Sequence, residues 1–134
     1  MRFMAIVKPG KDYEAGKPPS PELMAAMGKL AQEEQKLGVF VMGGGLLPSA
    51  YGHKLRMSGG KITVTDGPFA ETKEVIGGFA IVNHASHAEA IAGARRVMQI
   101  HAEHGFTDLE IELREMMEDP ACGAQVPTQQ ASAA

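Results

Sequence analysis

The stretch that decides the fold is Asp66-Gly67-Pro68-Phe69-Ala70-Glu71-Thr72-Lys73-Glu74, with Gly77-Gly78-Phe79 shortly after it. Just before this stretch, residues 61–65 alternate polar and apolar side chains, which is typical of a strand with one face toward a core. Gly67 and Pro68 are turn-forming residues, so we expect this strand to end at Asp66. An apolar strand is predicted again over residues 78–83. The charged residues between the two strands are therefore predicted to form an exposed loop.

Further strands and two helices are predicted on either side of this loop. A helix is expected to begin after Ser20-Pro21-Glu22, because serine is a favoured N-cap and proline suits the first helical position. Ser86-His87-Ala88-Glu89 has the spacing of a capping box and predicts a second helix, which ends near Gly105. Ser58-Gly59-Gly60 predicts the turn of a hairpin over residues 53–65. Strands are expected over residues 2–7, 39–42 and 108–114, and the first helix has an apolar stripe made of Leu23, Met27, Leu30 and Leu37.

The order of these elements predicts an α+β chain. A strand, a helix, a strand, a hairpin, a strand, a helix and a last strand follow one another, as in a ferredoxin-like βαββαβ sheet with both helices on one face. At least three of the strands are apolar on both faces, and an apolar sheet face is poorly suited to open water. We therefore expect a homodimer in which the two sheets face each other.

Composition limits the class of protein. The chain has 134 residues, the size of one ordinary domain, and a formal net charge of -3. That balance argues against a nucleic-acid-binding protein, which needs a basic surface. A lone cysteine, Cys122, excludes an intrachain disulfide. No stretch approaches the ~20 apolar residues of a membrane span. We expect a cytoplasmic protein with one domain over residues 1–117 and a flexible C-terminal tail over residues 118–134.

The run from Asp66 to Glu74, with Gly77-Gly78-Phe79, resembles the DGPF branch of the YCII-related family. Supporting marks are Gly38 after the first helix, the segment 61–65 before Asp66, and Glu112-Leu113-Arg114 near the end of the domain. The resemblance implies a dimeric α/β barrel built from a ferredoxin-like monomer. The YciI branch of the family has a histidine on its first helix that is thought to pair with an aspartate. The first helix predicted here contains no histidine, so that mechanism is not carried over.

Seven residues are candidates for a functional site. Asp66, Glu112 and Arg114 are predicted to be catalytic, because carboxylates transfer protons and the planar guanidinium of arginine binds carboxylates. The predicted substrate-binding residues are Phe69, Glu71, Lys73 and Glu74. Structural roles compete with these: Asp66 in an Asx turn, Phe69 in the core, and the other charged residues on a solvated loop or strand face.

These residues suggest a small enzyme without a cofactor that performs acid–base chemistry, an isomerisation or an elimination, on a small organic acid. A non-catalytic metabolite-binding or regulatory accessory module is the first alternative. The second is a purely structural role for the DGPF run. Two histidine pairs, His84 with His87 and His101 with His104, have no visible third ligand, so no metal site is predicted. The predicted partners are a second copy of the chain and a small-molecule ligand.

Overall fold

The computed structural model describes residues 1–118. Its strands are β1 (Arg2–Lys8), β2 (Phe40–Gly45), β3 (His53–Ser58), β4 (Lys61–Asp66), β5 (Gly78–Asn83) and β6 (Glu110–Glu115). Its helices are α1 (Lys11–Glu14), α2 (Pro21–Lys36) and α3 (His87–Glu103), with short 3-10 turns at Ser49–Tyr51 and Thr72–Glu74. The predicted flexible tail, apart from Glu118, lies outside the described residues.

Four strands form one antiparallel sheet in the order β2-β5-β1-β6, and β3 and β4 form a separate two-stranded sheet. The order of the larger sheet is that of the split βαβ arrangement, with the first and third of its strands at the centre. Helices α2 and α3 contact each other, α2 near β2 and α3 near β6, so both lie on the same face. The α+β class is therefore confirmed. The sheet is open in residues 1–118, and they form no closed barrel.

The core lies between this sheet and its helices. Phe3 is 1% exposed and packs with Val82 of the neighbouring strand and Ala90 of α3. Leu23 and Leu30 of the predicted stripe are also buried, but Leu37 is 78% exposed. Leu37 is the C-cap residue of α2, and Gly38 follows it in the left-handed conformation. The chain thus leaves the helix before Leu37 reaches the core.

Local sequence signals correctly predicted where both long helices begin. The Ser20 hydroxyl accepts a hydrogen bond from the Leu23 N–H at 3.1 Å, and the Ser86 hydroxyl accepts one from the Glu89 N–H at 3.2 Å. The Glu89 carboxylate reaches back to the Ala85 N–H, one residue earlier than in a standard capping box. Helix α1 was not predicted, because its four residues lie in a polar segment that has no apolar stripe.

Gly43, the first of the three glycines at the end of β2, marks a close approach between β2 and β5. The register of β2 against β5 shifts between Phe40 and Met42, which is a β-bulge or irregularity. After this shift, a Cβ atom placed on Gly43 would lie 2.5 Å from the Phe79 carbonyl oxygen. A Cβ on Gly44 would meet nothing within 4 Å.

Gly43→Ala is therefore expected to destabilise the chain by about 1–3 kcal/mol, the usual range for overpacking. Gly44→Ala is the matched control and is expected to change the free energy of unfolding by less than about 0.5 kcal/mol. Urea unfolding followed by circular dichroism measures both. Equal stabilities of the two variants would contradict the close approach at Gly43.

Candidate functional site

The predicted hairpin pairs Asp66 with a histidine. Its register joins Ser58 to Lys61 and, at the other end, His53 to Asp66. There the His53 Nδ1 atom lies 2.7 Å from an Asp66 carboxylate oxygen. An ionised carboxylate only accepts hydrogen bonds, so Nδ1–H donates to Asp66 and Nε2 is left for another partner. Both side chains reach solvent, at 63% and 80% exposure.

Strand alternation gives the hairpin two unlike faces. The His53–Asp66 pair shares its face with two apolar cross-strand pairs, Leu55 with Val64 and Met57 with Ile62. These four apolar side chains are 60–71% exposed. We call this surface, made of the four apolar residues, the hairpin face. The basic residues Lys54, Arg56 and Lys61 occupy the opposite side.

The loop after Asp66 is held by a buried serine. Ser49 is 5% exposed, and both its N–H and its hydroxyl donate hydrogen bonds to the Glu14 carboxylate. The Ser49 hydroxyl also accepts a hydrogen bond from the Phe69 N–H at 2.9 Å. At Gly67, whose N–H bonds to the Gly52 carbonyl, any side chain would collide with the Ser49 carbonyl. Ser49 therefore fastens the DGPF run to the segment that enters the hairpin.

Phe69 lines an apolar cleft beside the base of the hairpin. The cleft has a volume of about 570 Å³ and is lined mainly by apolar side chains, among them Leu46, Leu47, Tyr51, Phe69, Val75 and Ile76. The Lys54 ammonium lies 4.4 Å from the centre of the Phe69 ring, a cation–π distance. Glu71 and Glu74 also border this cleft. Three of the four predicted substrate-binding residues therefore meet at one cleft.

Lys8 connects the loop after Asp66 to the last strand. Its ammonium lies 3.2 Å from Glu112, 3.4 Å from Glu110 and 3.6 Å from Glu74. Arg114, next but one to Glu112 along β6, bonds to Glu112 at 3.1 Å. Three carboxylates thus surround two cations, so the cluster carries one excess negative charge. This balance opposes the binding of an anionic ligand by Arg114.

The same contacts shift two ionisation equilibria. Hydrogen bonds from Arg114 and then from Lys8 lower the pKa of Glu112 below its ordinary value of 4.5. The hydrogen bond to Glu112 raises the pKa of the Lys8 ammonium. Both shifts favour the charged forms of the two side chains.

The predicted site residues fall into separate groups. Glu112 lies with Arg114, and Lys8 joins Glu112 to Glu74, whereas Asp66 bonds to His53. Lys73 lines a second cleft of about 740 Å³ that lies beside Gly10 and Phe106. In the part of the chain described, the Asp66 carboxylate makes no hydrogen bond to a backbone N–H. The roles predicted for Asp66, Glu112 and Arg114 stay predictions.

Sequence reasoning missed three residues of this region: His53, Ser49 and Lys8. His53 was within reach of the sequence, because a two-residue turn at Gly59 and Gly60 pairs residue 58 with 61 and hence 53 with 66. Ser49 and Lys8 carry no such signal, since their contacts depend on how distant segments pack. Over residues 1–118, no three metal-binding side chains cluster, and no helix is long and apolar enough to cross a membrane.

The comparison with known families agrees with the motif. The YCII-related domain family matches residues 1–112, which is most of the chain. The chain belongs to the YCII-related family. A relative in Rhizobium meliloti (strain 1021) is 42% identical over 60 residues, which cover 45% of this chain and 48% of the relative. That relative is an uncharacterised protein, and the match spans about half of its length.

Within this YCII-related chain, Ser49→Ala tests the anchor of the DGPF run. The variant leaves the Phe69 N–H and the Glu14 carboxylate without their hydroxyl partner, so we expect a loss of about 1–3 kcal/mol in the free energy of unfolding. Ser58→Ala, at the exposed end of β3, is the control and should unfold like the unmodified chain. Urea unfolding followed by circular dichroism measures the free energy of unfolding of both variants. A neutral Ser49→Ala would show that the loop is held by other contacts.

Arg114→Gln tests the ion cluster through pH. Loss of the guanidinium should raise the pKa of Glu112 toward its ordinary value, as followed by NMR titration of the glutamate carboxyl carbons. Because the folded pKa is lowered, the ionised carboxylate stabilises the fold above the unfolded pKa, and this stabilisation disappears as the pH falls through the folded pKa. The variant should therefore lose less stability on acidification. Arg96→Gln, which removes a distant partner of Glu33, should leave the titration of Glu112 unchanged.

Proposed function

We propose that this chain is a small enzyme that moves a proton on a small organic acid, with His53 and Asp66 as its acid–base pair. The observation that carries the proposal is the 2.7 Å contact between His53 Nδ1 and the Asp66 carboxylate. Histidine is the side chain that accepts and releases protons most readily near neutral pH. A carboxylate on Nδ1 orients the ring and stabilises the imidazolium that forms when Nε2 takes up a proton. No cofactor is needed for such a step.

The chemistry is a proton transfer in two balanced stages. His53 Nε2 removes a proton from a carbon next to a carbonyl or carboxylate group, and the electron pair of the C–H bond moves into that group as an enolate. The imidazolium then returns the proton to the same carbon or to a conjugated neighbour. Return to a neighbouring carbon completes an isomerisation, and no other reactant is consumed.

The charges of the hairpin favour an anionic substrate. Between His53 and Asp66, Lys54, Arg56 and Lys61 supply three positive charges, and Asp66 supplies the one negative charge. These basic side chains lie on the side of the hairpin opposite the His53–Asp66 pair, so they attract small anions to the hairpin through its net field and do not contact a substrate at His53. The Lys8 cluster has the opposite balance, which is why the catalytic role is assigned to the hairpin in preference to Glu112 and Arg114.

We also propose that the chain forms the homodimer expected from its sequence, with the open sheet faces toward each other. The face opposite the helices supports this, because two adjacent antiparallel pairs on it, Met4 with Ile81 and Ile6 with Phe79, are entirely apolar. Ile81 is already buried in one chain, and the other three side chains are half-buried, so a second copy would complete their burial. Burial of such a face against a second copy is favourable. A dimeric α/β barrel would result. A monomeric mass in solution would contradict it.

Hydrogen–deuterium exchange tests the proposed chemistry before the substrate is known. The protein is incubated in D₂O with a panel of 2-oxo acids and unsaturated carboxylic acids, and loss of C–H signal is followed by proton NMR. We expect exchange in at least one compound. His53→Gln should reduce the rate by roughly 10²–10⁴-fold, the usual contribution of general acid–base catalysis. Asp66→Asn should reduce it less, because the imidazole remains.

His87→Gln is the matched control for this experiment. His87 forms a similar pair with Glu115, at 2.9 Å and with a comparable histidine exposure of 65%, but it lies at the start of α3. The exchange rate that the His87→Gln variant catalyses should equal that of the unmodified chain. Equal loss in the His53 and His87 variants would contradict the assignment of the hairpin pair.

A second candidate function is ligand binding without turnover, and the apolar cleft beside Phe69 supports it. A cleft of about 570 Å³ that is lined mainly by apolar side chains falls within the size range of small-molecule sites. Compounds of the panel that raise the melting temperature and show no exchange would favour this function over catalysis.

A further inference from the structure

The apolar cleft beside Phe69 lies on the opposite side of the hairpin from the His53–Asp66 pair. Both hairpin strands fall within the described residues 1–118, and of their residues Lys54 alone lines the cleft. Successive side chains of a strand point to opposite faces, so Lys54 points away from the face that carries His53. A molecule in this cleft therefore occupies a site separate from the proposed acid–base pair.

The walls of the cleft are held by hydrogen bonds from other parts of the chain. The Tyr13 hydroxyl donates to the Leu46 carbonyl, and the Leu46 N–H donates to the Gly77 carbonyl at 2.9 Å. Ser49, which also lines the cleft, donates to the Glu14 carboxylate through both its N–H and its hydroxyl. Small-molecule sites are usually formed largely before the ligand arrives. The wall that contains Leu46 and Ser49 meets this condition.

The apolar side chains of the cleft are exposed, although they lie close together. Leu47 and Tyr51 are each 72% exposed, and Leu46 and Ile76 are each 40% exposed. Single exposed apolar residues are ordinary, whereas several around one concave surface are typical of a ligand-binding groove. Tyr51 and Phe69 also supply two aromatic rings, which pack favourably against a third in edge-to-face or offset geometry. The cleft is therefore suited to a ligand with an aromatic ring.

Lys54 gives this apolar cleft a positive charge. Its ammonium lies 4.4 Å from the centre of the Phe69 ring, and within residues 1–118 it forms no salt bridge. Glu74 borders the cleft, but its carboxylate already faces the Lys8 ammonium at 3.6 Å. A charge beside apolar groups interacts more strongly with an opposite charge than it does in open water. Lys54 is therefore available to bind a carboxylate.

We propose that the cleft binds an aromatic monocarboxylic acid, with its ring against Phe69 and its carboxylate on the Lys54 ammonium. The inference rests on the ligand-binding function given above as the second candidate, whose ligand it names, and it does not require the acid–base chemistry. The carboxylates of Glu71 and Glu74 limit the ligand to one acid group, because a second acid group would meet like charge at the border of the cleft.

Lys54→Gln tests the carboxylate contact, with phenylacetate and its neutral amide, phenylacetamide, as probes. Isothermal titration calorimetry on the full chain measures both dissociation constants. Lys54→Gln should raise that of phenylacetate at least about tenfold, because a charge-assisted hydrogen bond is lost, and should leave that of the amide nearly unchanged. Arg56→Gln is the matched control, since it removes an equal charge from the same side of the hairpin but outside the cleft. It should change phenylacetate binding by less than about twofold, because salt screens exposed charges.

Leu47→Ser tests the apolar wall, with Leu55→Ser as its matched control. The two leucines are equally exposed, at 72% and 71%, so neither substitution disturbs the core. Leu47 lines the cleft, whereas Leu55 lies on the hairpin face. Leu47→Ser should weaken the binding of phenylacetate and phenylacetamide alike by several-fold, because both lose the same apolar contact. Leu55→Ser should bind both probes as the unmodified chain does.

Two further probes test the charge of the ligand. Phenylsuccinate carries a second carboxylate and should bind several-fold more weakly than phenylacetate, and Glu71→Gln should narrow that difference. Phenethylamine replaces the acid with an ammonium and should bind more weakly than phenylacetate. An amine that binds more tightly than the acid would show that Glu71 and Glu74 select the ligand, and the inference would be wrong.

Three other results would overturn the inference: no binding of phenylacetate, equal weakening by Lys54→Gln and Arg56→Gln, or equal weakening by Leu47→Ser and Leu55→Ser. The proposed functions fail separately. Binding of the amide without the acid would keep ligand binding in the cleft and overturn only the choice of an acid. If phenylacetate binds with the expected pattern but no compound exchanges its protons, the inference stands and the acid–base proposal is wrong.

Discussion

The antiparallel register of the hairpin is the constraint on which the site depends. Gly59 and Gly60 both have positive φ angles, of 59° and 79°, which a two-residue hairpin turn of type I′ requires. With that turn fixed, residue 58 faces 61, and every other pair follows. The register puts His53 opposite Asp66 and places four apolar side chains on the same face. A slip by one residue would break the pair and move the apolar residues to the basic side.

Much of the fold was predictable because its signals are local. The serines at positions 20 and 86 begin the two long helices, and the predicted strands lie within a few residues of the observed ones. Helix α1 was missed because four residues are too few to show the helical spacing of apolar side chains. Leu37 was placed in the apolar stripe because spacing alone does not reveal that the helix ends there. What covers the open sheet face, by contrast, depends on tertiary packing and on any second copy, and neither has a local signal in the sequence.

The site was predictable only in part, for a related reason. Asp66 was singled out by its motif, but its partner His53 was missed. The hairpin turn would have indicated that partner, whereas the histidine of the YciI branch was sought on the first helix. The cluster around Lys8 joins residues from the first strand, the loop after Asp66 and the last strand. Ser49 likewise bonds to Glu14, 35 positions away. Contacts of that range have no signature in a single sequence.

The two charged groups of this YCII-related chain differ in what remains free for a ligand. In the Lys8 cluster, both cations already face carboxylates, so a bound anion would have to displace one of them and would meet excess negative charge. In the hairpin, Asp66 bonds to Nδ1 of the imidazole, and within residues 1–118 Nε2 makes no hydrogen bond. An acid–base group needs such a free atom beside a partner that stabilises its charged form. The hairpin supplies both, whereas the Lys8 cluster does not.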